Sequence, residues 1–400
     1  MNKNVSFYGL PEKVEFCSKC VMSNQRPRSV VEFKNISNKK NGLDINSETK
    51  VCEACSYNAT KKEIDWEERE KQLIQLLDKH RKNTGYDCIV PGSGGKDSAY
   101  TAHILKYKYN MNPLTVTWAP HMYTDIGWQN FENWIKKGGF DNVLFTPNGK
   151  VHELLTSLSF KNLLHPFQPF IIGQKIIGPL FAKKFGIPLI FYGENQAEYG
   201  NAVEENSNPK MDTKFFSTKD KSEIILGGEK LNDILKRYNF RLNDFQPYLP
   251  PTFEELKQNK IEQRYLGYYI KWDPQECYYY AAKNTGFRPN TERTEGTYSK
   301  YSSIDDKIDP FHYYTTFIKF GLGRASYDAA QEIRNEKIER EEGVELVRKY
   351  DHEFPQKYFK EFLEYTDCNE DEFYKIIDKF RSPHLWEKIN DVWKLKQQVV

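Results

Sequence analysis

The chain has 400 residues, 28% of them charged, and a formal net charge of +2. That length allows two or three domains, and the near balance of charge gives no reason to expect a nucleic acid or another polyanion as partner. No run approaches the roughly 18 apolar residues of a membrane span, and Met1–Lys13 has no apolar signal-like stretch, so a cytoplasmic protein with no membrane contact is expected.

The first chemistry-bearing feature is a pair of CxxC motifs, Cys17–Cys20 and Cys52–Cys55, holding four of the seven cysteines. Four thiolates in that pattern suit one tetrahedral ion with no open coordination position, which predicts a structural zinc knuckle over residues 14–60. The 31 residues between the pairs are many for a zinc ribbon, so Asn35–Glu48 is read as a loop-out. An iron–sulfur or redox site, and unrelated thiols, stay open as alternatives. Ile64–His80 then presents Trp66, Leu73, Leu77 and His80 along one face of a helix.

Tyr86–Tyr109 is the stretch around which the rest is organised. Asp87–Val90 predicts a buried strand, and Ala102, Leu105 and Tyr109 share one face of a following helix. Between them lies Gly92-Ser93-Gly94-Gly95-Lys96-Asp97-Ser98. Glycines let a backbone approach a ligand closely, and the helix N-terminus adds partial positive charge, so this loop reads as an anion cradle. A Walker A loop is excluded because Val90 and Asp97 stand where it needs Gly and Ser or Thr, and a dinucleotide GxGxxG fails at Asp97. The alternative is a glycine-rich turn with no ligand.

Downstream, strands are predicted at Pro113–Trp118 and Asp141–Phe145 around a helix at Trp128–Lys137. Gly173–Asn201 holds a helix broken by Pro179 and a strand at Gly186–Tyr192. This alternation predicts an α/β, doubly wound parallel sheet that binds ligands at the carboxyl ends of its strands. Trp118 then becomes a wall for an adenine, with Gly193 at the next strand end. Glu194 and Glu198, just past it, are candidate Mg²⁺ ligands or solvated loop acids. Glu205–Gln246 is polar and turn-rich and is expected to be a mobile segment over the site. Short helices dominate after Pro250. Lys319 and Arg324 flank two glycines before a helix expected to be N-capped by Ser326, and they either stabilise a leaving phosphate or are surface cations. Asp351–Val400 is expected to pack or to form an oligomer contact.

The glycine loop resembles the SGGxDS signature of the PP-loop ATP pyrophosphatases. The CxxCVM…CxxC knuckle, PGSGGKDS, TWAPHMYTD, FYGENQAEYG and KFGLGRASYDAAQEIR occur in that order over nearly the whole chain. Together they are similar to the N-acetyl sugar amidotransferase family, the WbpG- and PseA-like proteins of bacterial lipopolysaccharide and flagellin-glycan biosynthesis. The resemblance implies a PP-loop (adenine nucleotide alpha hydrolase-like) ATP-binding domain over 61–245 and a mainly helical region over 246–400 that completes the active site and serves assembly. It implies conversion of the acetamido group of a nucleotide-linked sugar to an acetamidino group through an O-adenylyl imidate. ATP would be held by Ser93, Gly94, Gly95, Lys96, Asp97, Ser98, Trp118 and Gly193, with Lys96, Asp97, Lys319 and Arg324 catalytic, Mg²⁺ on Glu194 and Glu198, and Zn²⁺ on Cys17, Cys20, Cys52 and Cys55. Ammonia would come from a separate glutaminase subunit resembling that of imidazole glycerol phosphate synthase, with a cyclase-like companion as a further option. The rivals are a PP-loop tRNA thiolase and a non-catalytic, zinc-stabilised nucleotide-binding assembly factor.

Overall fold

The computed structural model describes residues 5–34, 41–194, 196–202 and 208–400; the first part of the expected loop-out, Asn195 and the start of the expected mobile segment lie outside them. At its centre is a parallel sheet of β1 (Cys88–Pro91), β2 (Pro113–Trp118), β3 (Asn142–Phe145), β4 (Leu189–Tyr192) and β7 (Glu262–Tyr265), in the order β3-β2-β1-β4-β7. Every neighbouring pair is parallel. Strands β1 and β2 are buried along their whole length. Helices cover both faces of such a sheet, so its inner strands read as continuous apolar or β-branched runs rather than alternating ones. Chain direction reverses across β1: the path goes outward to β2 and β3, then returns to β4. The loop after β1 therefore opens at the switch point, where ligands of such sheets bind.

Helix α1 (Glu53–Thr60) belongs to the knuckle, and the covering helices are α2 (Trp66–His80), α3 (Lys96–His103), α4 (Asp125–Lys136), α5 (Gly149–Leu163) and α6 (Gln168–Phe185). Helix α4 begins before Trp128 because the Thr124 hydroxyl accepts from the Gly127 N–H, an N-cap hidden inside an apparent loop. Helix α6 is not broken by Pro179. The proline removes one intrahelical bond, but Ile172, Ile176, Ile177 and Ala182 are buried against the sheet and hold the helix together. A Cβ on Gly178 would lie 3.1 Å from the Pro91 ring and 3.3 Å from Ile190, which records how closely this helix lies on β1 and β4.

Residues 208–246 do not form a mobile cover. A short hairpin of β5 (Ile225–Leu226) and β6 (Glu229–Lys230) sits among them, and Phe215, Phe216, Leu226, Ile234 and Phe245 are buried in the core that also holds α6. Five apolar anchors spaced among polar residues outweigh the loop-like composition. A second core lies on the α2–α3–α4 face of the sheet. A third joins the helix Asp309–Phe320 to Phe359–Thr366 and Glu370–Lys379 through stacked rings, Phe311 and Phe362 lying 4.1 Å apart. The chain closes on an antiparallel hairpin of β8 (Trp386–Ile389) and β9 (Val392–Leu395). A fourth core combines the four knuckle cysteines with Leu322, Ala329 and Val344. Among the described residues no helix is long and apolar enough to cross a membrane.

Candidate active site

The loop expected to cradle an anion leaves β1 at Pro91 and enters α3 at Lys96, with Gly95 as N-cap. Its glycines are sterically required. Gly94 has φ +86° and a Cβ there would meet the Phe131 backbone at 2.9 Å, while one on Gly92 would lie 2.2 Å from Ser98 Cβ. The first N–H groups of α3 have no intrahelical acceptor, so they face out of the helix start toward the cleft.

That cleft has a volume of about 280 Å³ and is lined on one side by Gly92, Ser93, Gly95, Lys96, Asp97 and Ser98. It is also lined by Pro120, Phe167, Phe170, Gln174 and Tyr192, with Gly193 and Glu194 at the end of β4. Gly193 leaves no room for a side chain, because a Cβ would be 2.5 Å from the Trp272 ring. The floor is Ser302–Asp306, Asp309 and Arg324 from the C-terminal region.

Charge is concentrated here. Lys96 Nζ donates to both Asp97 oxygens at 2.8 and 2.7 Å. Burial, with Asp97 nearby, pushes the Glu194 carboxyl above its ordinary range, and the Tyr199 hydroxyl donates to it at 3.1 Å. Ser93 Oγ donates to Asp305 Oδ2 at 2.7 Å. Burial raises both Asp305 and Asp309 to about 6. Arg324 Nε donates to Asp328 Oδ1 at 3.1 Å, and its guanidinium also reaches the Tyr313 hydroxyl. Asp97, Glu194 and Asp305 thus offer the hard oxygen donors that Mg²⁺ prefers, on the same cleft as the loop that would hold phosphates.

A second cavity of about 320 Å³ adjoins the first and shares Lys96, Asp97, Glu194, Tyr301, Ser302 and Arg324 with it. Its remaining wall is polar, with Asp273, Ser299, Gln331, Glu332 and Asn335. The two cavities meet at the start of α3.

Three of the expected site residues sit elsewhere. Trp118 is buried in the core, its ring filling the space beside Gly173, where a Cβ would come within 2.2 Å of it. It does not line the cleft. Glu198 is spent on a buried ion pair, accepting from Lys61 Nζ at 2.7 Å, and so is unavailable to a cation in the cleft. Lys319 is buried beside the Phe320 ring and donates to the Leu163 carbonyl at 3.0 Å. Ser326 is not an N-cap either: the helix starts at Arg324 after Gly323, and Asp351 accepts from the Gly323 and Ser326 N–H groups.

Asp305 and Asp309 lay outside every motif. The available signal was three aspartates within five residues, Asp305, Asp306 and Asp309. Asp306 proves to be the docking residue, accepting from the His121 N–H at 2.7 Å, the Met122 N–H at 3.3 Å and His121 Nδ1 at 2.7 Å. It ties the loop after β2 to the C-terminal region and brings Asp305 under Ser93.

The four cysteines gather as expected. Their sulfurs lie within 4.8 Å of one another, with Cys17–Cys55 at 3.9 Å and Cys20–Cys52 at 3.8 Å. Zn–S bonds of about 2.3 Å in a tetrahedron place sulfurs about 3.8 Å apart, so the set fits one zinc ion. Backbone N–H groups of Lys19 and Cys52 point at Cys17 Sγ at 3.4 and 3.3 Å, as suits a thiolate.

Residues 295–399 match the family described as LPS biosynthesis protein WbpG-like, C-terminal domain. A 74-residue stretch is 38% identical to an uncharacterised protein of Methanocaldococcus jannaschii, covering 18% of this chain and 26% of that protein. Among solved structures, an NMN synthetase from Francisella tularensis aligns over 57% of this chain and 89% of its own, at 13% identity and a TM-score of 0.26. An NH3-dependent NAD synthetase from Campylobacter jejuni, in complex with nitrate, aligns over 57% and 100%, at 14% identity and a TM-score of 0.27.

Proposed function

We propose that this chain, a PP-loop α/β sheet joined to a WbpG-like C-terminal domain, is an ATP-dependent ligase that converts an N-acetyl group of a nucleotide-linked sugar into an acetamidino group for bacterial surface-glycan synthesis. The observation that carries the reading is the meeting of the two cavities at Lys96, Asp97, Glu194 and Arg324. In this reading ATP occupies the loop-side cleft and the acceptor the polar chamber, so the reacting atoms come together at the start of α3.

An amide does not exchange its oxygen for ammonia, because oxide is too poor a leaving group. The acceptor carbonyl oxygen attacks the α-phosphorus of ATP and the α–β bridging bond breaks, giving an O-adenylyl imidate and pyrophosphate. Ammonia then adds to the imidate carbon, loses its surplus protons to solvent or a carboxylate, and AMP departs. The Gly95–Ser98 backbone and the Ser93 and Ser98 hydroxyls hold the pyrophosphate. Lys96 and Arg324 offset its growing charge, which preorganised donors do at little reorganisation cost. Asp97, Glu194 and Asp305 would hold Mg²⁺, whose charge neutralises phosphate oxygens. The base lies against Phe170, Gln174 and Tyr192. Ammonia reaches the site from a separate glutaminase subunit. Among the remaining cysteines, Cys277 is buried and burial holds its thiol well above the ordinary range, which suits neither a glutaminase nucleophile nor the thiol chemistry of a tRNA thiolase.

The test is to incubate the protein with ATP, Mg²⁺, ammonium chloride and a panel of UDP- and CMP-linked N-acetyl sugars, following sugar mass and AMP. The expected result is one sugar exchanging O for NH in step with AMP, with Lys96→Met reducing turnover by about 10²–10³-fold. Hydrolysis without sugar modification, or sulfur transfer to tRNA when a sulfur donor is added, would reject the amidination.

A further inference from the structure

Two buried arginines near the cysteine cluster have no carboxylate partner among the described residues. Arg26 and Arg334 are 6% and 9% exposed. Arg26 Nε and Nη1 make no hydrogen bond among the described residues, and the guanidinium's one neutral partner is Tyr327, whose ring centre lies 5.7 Å away. Arg334 donates to a backbone carbonyl, that of Glu198, at 2.8 Å, and its other terminal nitrogen lies 4.0 Å from Cys20 Sγ. Among the described residues neither forms an ion pair with a carboxylate. A buried, unpaired cation is strongly unfavourable, and such groups persist when an opposite charge stands near. Four thiolates on one divalent ion carry a net charge of −2, which two guanidinium groups offset.

Arg334 also leads toward the cleft. The Glu198 whose carbonyl it holds is clamped on its other side by Lys61, whose Nζ lies 2.7 Å from the carboxylate. The next residue is Tyr199, which donates to Glu194 in the cleft at 3.1 Å. Gly200, at φ +83°, closes this segment against the knuckle: a Cβ there would meet Leu43 at 2.6 Å and Arg26 Nη1 at 3.6 Å.

We propose that Arg26 and Arg334 are the counter-ions of a metal–tetrathiolate dianion, and that Arg334 is a positioning residue through which the cluster holds the Glu194 carboxylate in place. The knuckle is then part of the scaffold of the nucleotide site rather than a remote folding clip. The second half rests on the nucleotide reading of the cleft; the counter-ion half does not.

The experiment uses the full chain loaded with zinc. Zinc release to a chromophoric chelator, melting temperature with and without that chelator, and affinity for α,β-methylene-ATP at several Mg²⁺ concentrations are measured for wild type, Arg26→Met, Arg334→Met and Arg334→Lys. Loss of a group supporting metal ligands costs about 10–100-fold in metal affinity. Both methionine variants are therefore expected to release zinc at least about tenfold faster, with Arg334→Lys recovering most of the loss. Arg26→Met should lower the melting temperature of the zinc-loaded protein and raise that of the stripped protein, since without the dianion the buried charge has no partner; a merely structural arginine would shift both the same way. Arg334→Met should also weaken analogue binding several-fold and demand more Mg²⁺. Zinc release at the wild-type rate in both methionine variants would overturn the counter-ion role. Normal analogue affinity in Arg334→Met would overturn the positioning role. If Arg334→Met does not fold, Lys61→Met, which frees the same segment without touching the cluster, must weaken analogue binding or the positioning role is lost. A wild-type protein that fails to bind the analogue rejects the nucleotide reading, and with it the positioning half, while zinc release still decides the other half.

Discussion

At the scale of single residues, Asp305 and Asp309 carry a structural cost, and Asp305 is also a ligand of the proposed cation site. Burial holds both at about 6, against 3.8 in an exposed chain. Between those pH values the folded state binds more protons than the unfolded one. Their contribution to stability is therefore full below about pH 4, falls as pH rises, and is gone above about pH 6. A shift of that size is worth on the order of 1–3 kcal/mol per group. Cation binding needs the ionised forms, so Mg²⁺–nucleotide affinity should climb over the same window while intrinsic stability declines. Asp305→Asn is predicted to raise the melting temperature at pH 7.5 more than at pH 5, and to flatten the pH dependence of analogue binding. Thermal melts at the two pH values check the first, and calorimetric titration the second. Equal destabilisation at both pH values would show that the Ser93 hydrogen bond outweighs the cost of the buried charge.

At the scale of elements, legibility followed how local the deciding interaction is. Strand β2 was readable end to end because it is apolar and β-branched on both faces, and the loop after β1 was readable because its glycines form one contiguous motif between a strand and a helix, although the contact that requires Gly94 comes from Phe131. Strand β7 was not: Glu262-Gln-Arg-Tyr265 is a mostly polar edge strand, defined by pairing with β4 some 70 residues earlier in the chain. Trp118 was placed at the correct strand end but with its ring in the wrong direction, since only the docking of α6 decides which face it fills. That docking is testable. Gly173→Ala puts a Cβ 2.2 Å from the Trp118 ring and should cost about 1–3 kcal/mol in denaturant unfolding, whereas Gly149→Ala, with nothing within 4 Å, should be nearly neutral. Equal midpoints for the two variants would mean that α6 can shift off β2 at no cost.

At the scale of the whole molecule, the site is assembled from parts that are distant in sequence. The loop after β1 supplies Ser93 and Lys96, the end of β4 supplies Glu194, and Asp305, Asp309 and Arg324 lie within the segment that matches the WbpG-like domain. This explains why the acids of the floor escaped sequence reasoning: their role depends on Asp306 docking onto His121, 185 residues away. A fragment covering residues 61–294 would keep the central sheet and the glycine loop but lose the floor, the Ser93–Asp305 bond and the docking site of the β2 exit loop. It would also uncover the surface against which Ile304 packs in the second core. We predict that such a fragment shows no nucleotide-induced stabilisation in thermal melts, and that co-expression with residues 295–400 restores it. If the fragment alone bound α,β-methylene-ATP with the affinity of the whole chain, the C-terminal region would have no part in holding the nucleotide. Arg324 and Asp305 would then have to act on the acceptor alone.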